Sequence, residues 1–387
     1  MVCRLVRTAV LAALWTLCAA AQEDPMAPIA PLLGAGDAAY LKGDYDAARD
    51  AFAKAWDAAG QLPADAPARY DILKRLSSVR AAAGDFAGAD EWLGQAIAWR
   101  EAARGKEDPK IADDLLLSAG FQRSLKNYDR ALEILRRVQG LHAAIYGPAS
   151  PLYADDFTRM ARVYAEQKQN VPAIAMHQIA LGLRTRIAGP LDPTLVPDLD
   201  RLGELYTAER QYEKAEDAYR HDLVIRETIY GKVHADLIST VDGLAYALFG
   251  QKKYEAAEPV YRRLLGLWEG SVGKDHPMVA VTLDKIAVFY AEQKKYPEAR
   301  DMLERSSAIR ARFLAMGISQ QATEAFGEGR AEDARAFYRR ALAVLGEPNP
   351  ANADLRAQFE EILKALDEPA PKPAAAPKRT APATKKP

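Results

Sequence analysis

Gln211-Tyr212-Glu213-Lys214-Ala215, Lys253-Tyr254-Glu255-Ala256-Ala257 and Lys295-Tyr296-Pro297-Glu298-Ala299 are three versions of one phrase, repeated at a 42-residue period. Each lies between two apolar patterns of helical period. A fixed period of this size marks repeated supersecondary units, and it outranks any residue-by-residue assignment. Residues 199–299 therefore supply the register for the rest of the chain.

Working outward, the phrase recurs as Gly43-Asp44-Tyr45-Asp46-Ala47-Ala48, Gly84-Asp85-Phe86-Ala87-Gly88-Ala89 and Lys126-Asn127-Tyr128-Asp129-Arg130-Ala131. A degenerate copy reads Gln169-Asn170-Val171-Pro172-Ala173, and a last one reads Gly329-Arg330-Ala331-Glu332-Asp333-Ala334. The closing alanines, which include Ala131, Ala173, Ala215, Ala257 and Ala299, step along the chain by 41, then by 42 five times, then by 35, so the chain holds eight units with a shortened last one. Each unit reads as two helices. In the first, Leu199, Leu202, Gly203 and Tyr206 recur at i, i+3, i+4 and i+7, and the same set reappears as Phe157, Met160, Ala161 and Tyr164, as Val241, Leu244, Ala245 and Leu248, and as Leu283, Ile286, Ala287 and Tyr290. The small third member predicts a close approach of a neighbouring backbone. In the second helix Ala215 precedes Tyr219 and Ala257 precedes Tyr261, again a small residue beside an aromatic. Tyr212, Tyr254 and Tyr296 are read with them as packing residues of the repeat.

A second phrase separates units: Gly105-Lys106-Glu107-Asp108-Pro109, Gly147-Pro148-Ala149-Ser150-Pro151, Gly189-Pro190-Leu191-Asp192-Pro193 and Gly273-Lys274-Asp275-His276-Pro277. Gly231-Lys232-Val233-His234-Ala235 lacks only the proline. Glycine suits a left-handed helix end and proline suits the first turn of the next helix. His234 and His276 are assigned to capping there.

These residues resemble the tetratricopeptide repeat, whose usual period is about 34 residues. The 42-residue period and the Gly-x-Asp-His-Pro ending resemble its kinesin-light-chain variety, with a second helix two turns longer. The resemblance covers residues 31–346. It implies an all-α, right-handed α-solenoid whose concave face holds a peptide or a partner protein. The fourth unit departs from the pattern, with Asn170 where the aromatic belongs and His177 where a large apolar residue or Tyr is usual. After Pro350, Leu355, Phe359, Ile362, Leu363 and Leu366 share one helical face, so residues 351–367 are assigned to a terminal cap.

The two ends read differently. Arg4 and Arg7, an apolar run over residues 10–17 and Ala19-Ala20-Ala21 form the three parts of a secretory signal, with cleavage expected after Ala21. An uncleaved anchor and lipid attachment at Cys18 are the competing readings. The uncharged run over residues 8–22 is shorter than the roughly 20 residues a spanning helix needs. The chain's only two cysteines, Cys3 and Cys18, fall in this leader, so residues 22–387 offer no disulfide or thiolate. Residues 22–30 form a linker to the array of residues 31–350. Residues 368–387, rich in Pro, Ala and Lys, form a disordered tail. With Arg4 and Arg7 in the leader and Lys372, Lys378, Arg379, Lys385 and Lys386 in the tail, a whole-chain charge of −1 leaves about −8 on residues 22–368. The expected location is outside the cytoplasm, in the bacterial periplasm first, with secretion or envelope association as the alternatives.

The chain has no phosphate-binding glycine loop, no Gly-x-Ser-x-Gly elbow and no His-Glu-x-x-His pair, and its five histidines are dispersed. Neither catalysis, a metal nor a cofactor is expected. Charge, however, recurs in register. Asp200, Asp242 and Asp284 follow the first apolar residue of three successive first helices, with Glu204, Glu166 and Glu292 close to the same face and Arg162, Arg201 and Lys285 among them. In the family this site lies on the concave face, so the row predicts a groove for a segment carrying Lys or Arg, with no role for nucleic acid. The basic tail could fold into that groove and compete, or could tether the protein to anionic cell-wall or membrane surface, an envelope-structural alternative.

Overall fold

A computed structural model describes residues 26–367. Among them are sixteen α-helices, three short 3-10 turns and no strand. The chain divides into two compact units, residues 1–225 and 226–387, with the division inside one helix. The leader and the tail lie outside the described residues.

The first unit contains α1 (Ala30–Leu41), α2 (Tyr45–Ala58), α3 (Pro67–Ala82), α4 (Phe86–Arg104), α5 (Pro109–Ser124), α6 (Tyr128–Tyr146), α7 (Pro151–Glu166), α8 (Asn170–Ala188), α9 (Val196–Ala208) and most of α10 (Tyr212–Tyr230). Successive helices pair as hairpins, and each hairpin packs on the next. The fold begins before residue 31: Ile29 is fully buried in the first core with Phe52, Ile72 and Leu76, because α1 needs an apolar residue beneath its first turn. The predicted linker over 22–30 is thus structural at its C-terminal end. A second core joins Leu93, Ile111, Leu135, Val138 and Met160 across three hairpins. The closing alanines Ala131, Ala173 and Ala215 are fully buried, which a larger side chain would prevent.

Small residues serve a purpose different from the one expected. A Cβ on Gly203 would stand 2.5 Å from two ring carbons of Tyr219, so Gly203 makes room for an aromatic ring, not for a neighbouring backbone. The within-hairpin turns put Lys126, Lys168 and Arg210 at φ of 57–60°, where the first two hairpins place Gly43 and Gly84. The between-hairpin glycines are more demanding. Gly105, Gly147 and Gly189 combine φ of 83–94° with ψ of 161–169°, an extended positive-φ conformation outside the left-handed helical basin and open essentially to glycine alone. Asp108, Ser150 and Asp192 then cap the following turn by accepting a backbone N–H.

The second unit holds the end of α10, then α11 (Ile238–Gly250), α12 (Tyr254–Val272), α13 (Pro277–Glu292), α14 (Tyr296–Gly327), α15 (Ala331–Leu345) and α16 (Ala353–Asp367). Nδ1 of His276 accepts the Met278 N–H at 3.2 Å and Nδ1 of His234 that of Asp236 at 3.2 Å, so both histidines are caps. The last repeat is short for a specific reason. Ala315 and Ser319 stand one full period after Gly273 and Pro277. With neither helix breaker present, α14 runs on for 32 residues. Its first part buries Ile309 against Val279, Ala280 and Leu283 of α13, and its second part buries Ala315, Ile318 and Ala322 against Tyr338 and Ala341 of α15 and Leu355 and Phe359 of α16. The predicted cap is α16.

This continuity corrects one packing assignment. Tyr212 and Tyr254 are half-buried, and Tyr254 packs on Phe289 of the next hairpin, with ring centroids 6.0 Å apart. Tyr296 is 64% exposed. Its hairpin is followed by the same helix continuing, which leaves no separate first helix to cover the ring.

Candidate binding site

The first helices carry the residues singled out in the sequence. In the second unit Asp242 on α11 accepts both bonds from Lys285 of α13, at 2.6 and 2.8 Å. Asp284 on α13 accepts Ser306 Oγ at 2.6 Å and the guanidinium of Arg310, both on α14. Partial burial pushes the Asp284 carboxyl up, but those two partners outweigh it and hold the group below the ordinary aspartate range. These two carboxylates therefore sit already neutralised. In the first unit Asp200 is half-buried on α9, and exposed Arg201 pairs with Glu204 one turn on. Arg162 on α7 is exposed, and Arg123 of α5 reaches Glu166 at 3.6 Å.

The first-helix faces of α5, α7 and α9 enclose a cleft of about 710 Å³. Arg123, Arg159, Arg162 and Arg201 line it against one carboxylate, Glu166. Three of these arginines are paired: Arg123 with Glu166, Arg159 with Asp156 at 3.1 Å, and Arg201 with Glu204. Thr158, also on the wall, occupies the position one repeat before Asp200, so the acidic row ends there. A larger cleft of about 880 Å³ flanks α14 in the second unit. Its Lys274, Arg305 and Arg312 are balanced by Asp275, Asp301 and Glu304, so it offers no net field.

Beneath the arginine cleft lies a polar network that the sequence reading missed. Asp114, Asp156 and Asp198 stand one repeat apart and are 2%, 0% and 0% exposed. Each lies on the buried face of a first helix and meets a basic side chain from the preceding second helix: Arg100 3.9 Å from Asp114, His142 Nδ1 2.8 Å from Asp156, and Arg184 against Asp198. Arg100, His142 and Arg184 keep the same one-repeat spacing. Buried carboxylates of this kind persist only when paired and hydrogen-bonded. Asp114 also accepts Tyr70 Oη at 2.8 Å and Lys74 Nζ at 2.5 Å, and burial together with that carboxylate pushes the Tyr70 phenol up to about 12. Burial pushes the Asp156 carboxyl up as well, against the opposing pull of His142 and Arg159. Asp198 additionally accepts Thr158 Oγ1 at 3.1 Å and engages His177 Nδ1 at 2.7 Å. His177 is 3% exposed and is among the residues lining the arginine cleft. Its counterparts in later repeats, Tyr219 and Tyr261, are packing residues, 6% and 4% exposed. The signal for the network was present as three acids at one core-facing register.

Among the described residues, no group of three or more His, Cys, Asp or Glu side chains is placed to hold a metal, and no helix is long and apolar enough to cross a membrane. What the surface provides is a set of fixed charges on stacked helices, an arrangement suited to binding.

Stacked antiparallel hairpins with a 42-residue repeat define an α-solenoid of helical repeats. The chain carries tetratricopeptide repeats: family models described as tetratricopeptide repeat match residues 199–236 and 236–312. The crystal structure of the C-terminal part of a TPR repeat-containing protein from Cytophaga hutchinsonii superposes with a TM-score of 0.52 at 14% identity, covering 71% of this chain and 93% of that one, and shares the fold. BtubC (BKLC) from P. vanneervenii gives 0.45 at 18% identity over 64% and 92% of the two chains. A putative kinesin light chain with nearly identical TPR-like repeats, from Podosopora anserina, gives 0.45 at 17% over 54% and 99%. No curated protein matches the chain in sequence.

Proposed function

We propose that the protein is an exported scaffold that holds a partner polypeptide on its first-helix faces and performs no catalysis. The observation that carries this reading is the open, charged cleft that α5, α7 and α9 build from successive repeats. Rigid helices there present side chains at fixed spacing, the arrangement by which extended or helical segments are read. In the second unit Asp242 and Asp284 would receive Lys or Arg of the partner by exchange with Lys285 and Arg310, and Asp200 is the corresponding residue of the first. The leader sequence supports export to the periplasm, with Gln22 as the first mature residue.

The test is affinity capture of the mature chain from envelope extract, with cross-links mapped by mass spectrometry. Cross-links concentrated on first-helix faces are expected; cross-links confined to second helices would refute the groove. N-terminal sequencing of the exported protein checks the leader, and a retained Met1 would overturn cleavage. The five cations of residues 369–387 favour a second reading, an envelope-structural protein tethered to anionic polymer or lipid through the tail. That reading requires salt-sensitive pelleting with envelope fractions that deletion of residues 369–387 abolishes.

A further inference from the structure

We propose that α14 pairs antiparallel with α14 of a second copy of this chain, so that the face left open by the missing helix break becomes a two-fold dimer interface. The interface is separate from the groove on the first-helix faces, and either reading can fail alone.

The repeat itself says what should cover this face. Tyr254 and Tyr261 of the sixth hairpin both pack on Phe289 of α13, the next first helix, with ring centroids 6.0 and 5.2 Å apart. One repeat later these two positions are Tyr296 and Leu303, and both are more than half exposed. The missing cover is therefore the first helix of a following repeat. By register that helix is the second half of α14, where Ala315 and Ser319 stand in for the glycine and proline of a unit boundary. Helix continuity carries it straight on, and its buried side meets α15 and α16 instead. A second copy can deliver the helix that the chain cannot fold back onto itself, and by symmetry it receives the same helix in return.

The surface of α14 has the pattern such a pairing needs. Residues stepping alternately by four and three from Tyr296 to Glu324, through Leu303, Ser307, Leu314 and Gly317, are all exposed. That spacing is the seam of a two-helix coiled coil. It runs the length of a helix of about 48 Å. The exposed Phe313 borders it. Charge sets the orientation. Glu324 is the only charged residue in 313–327, and Arg300 is on the same seam in the first half. Parallel pairing would set Arg300 on Arg300 and Glu324 on Glu324. Antiparallel pairing about residue 312 sets Arg300 against Glu324 of the other copy, which favours that arrangement. The same register sets Leu303 against Gln321 and the small Ser307 against Gly317, where the helices can approach closely. Arg310 falls near the two-fold axis, but Asp284 of its own chain already neutralises it, so symmetry brings no bare like charges together.

Sedimentation equilibrium of residues 22–387 between about 1 and 100 μM should show a monomer–dimer equilibrium. Leu303→Glu with Leu314→Glu, both at exposed positions, should weaken dimerisation by about tenfold or more, the scale of one leucine lost from an interface. Far-UV circular dichroism checks that the variant keeps its helices. A monomer throughout the range overturns the proposal. So does a dimer indifferent to the two substitutions, and so do species that grow past the dimer, which a closed two-fold seam forbids. Residues 22–387 contain no cysteine, so Glu328→Cys, off the seam at the end of α14, gives a single site for a nitroxide label. Double electron–electron resonance should place the two labels about 50 Å apart in an antiparallel pair. Labels side by side, as in a parallel pair, overturn the proposal, and this measurement stands even if the double variant fails to fold. Deleting residues 368–387 should leave the dimer intact. A dimer lost with those residues would assign the association to the tail and overturn the proposal.

Discussion

Removing the Asp198 carboxylate tests whether the buried charges are structural. Asp198 is fully buried and accepts from His177, Thr158 and Arg184, while Arg184 keeps a second partner in Asp155 at 2.5 Å. In Asp198→Ala the guanidinium loses its nearer carboxylate, the imidazole loses its only one and a cavity opens. Breaking one side of a buried ion network costs about 3–5 kcal/mol, a large share of the roughly 5–15 kcal/mol that holds a domain together. Asp198→Asn keeps the volume and one acceptor, so about half that loss is expected. The repeat supplies its own control. The positions two repeats after His177, Arg184 and Asp198 hold Tyr261, Trp268 and Thr282, an uncharged arrangement that packs in the second unit. Exchanging the three together, as His177→Tyr, Arg184→Trp and Asp198→Thr, should recover most of the lost stability, because an ion network replaced whole by well-packed residues is often neutral. Urea unfolding followed by far-UV circular dichroism measures all three variants, and hydrogen exchange of α8 and α9 localises the effect. A loss below about 1 kcal/mol in Asp198→Ala would refute the reasoning. A triple variant no more stable than Asp198→Ala would show that the site cannot be repacked.

Gly203→Ala should be less stable than Gly270→Ala by about 1–3 kcal/mol in denaturation, since a methyl at 203 meets the Tyr219 ring at 2.5 Å while none is obstructed at 270. Lys168→Gly should stabilise by about 0.5–1 kcal/mol, because Lys168 sits at φ 59°, and Gly147→Ala should destabilise by at least that much, as judged by urea midpoints. Asp156 gives a signed pH effect. Its folded carboxyl is raised, so its contribution is full below the ordinary aspartate range near pH 4 and is lost as pH rises through the raised value. The stability of Asp156→Asn relative to the unaltered chain should therefore rise between pH 4 and 5.5, below the imidazole range, and a flat difference would refute the assignment. Asp284 has the opposite slope: its stabilising contribution is present above that range and is lost as pH falls through its lowered value, so Asp284→Asn should lose its disadvantage on acidification.

The hairpins were legible because their determinants are local. A small residue at the hairpin crossing, a glycine at each unit boundary and a cap after it are read one repeat at a time, and eight copies average out the degenerate ones. Tyr296 shows where this stops: its phrase is intact, but its burial depends on a helix break that is missing downstream. The charge of the candidate site was harder to read. Asp242 and Asp284 are acids in sequence, yet each meets a cation supplied 43 or 26 residues later, and only the packing of α13 and α14 shows the pairing. Arg123, Arg159, Arg162 and Arg201 come from three helices, so no window of sequence contains the cleft they form. His177 was visible as a departure from the repeat. Its tie to Asp198 follows a periodicity of acids, not of apolar residues, in the core.

The unbroken α14 changes how the second unit can come apart. In an ordinary repeat array each boundary is a place where unfolding can halt, since neighbours interact only in pairs. A boundary made of continuous helix removes that halting point: separating the last hairpin from the one before it requires melting turns that both use, with Ile309 anchored at one end and Ile318 at the other. The two final hairpins and the cap are therefore a single melting block, and the described array resists, at its last helices, the stepwise fraying to which helical arrays are prone.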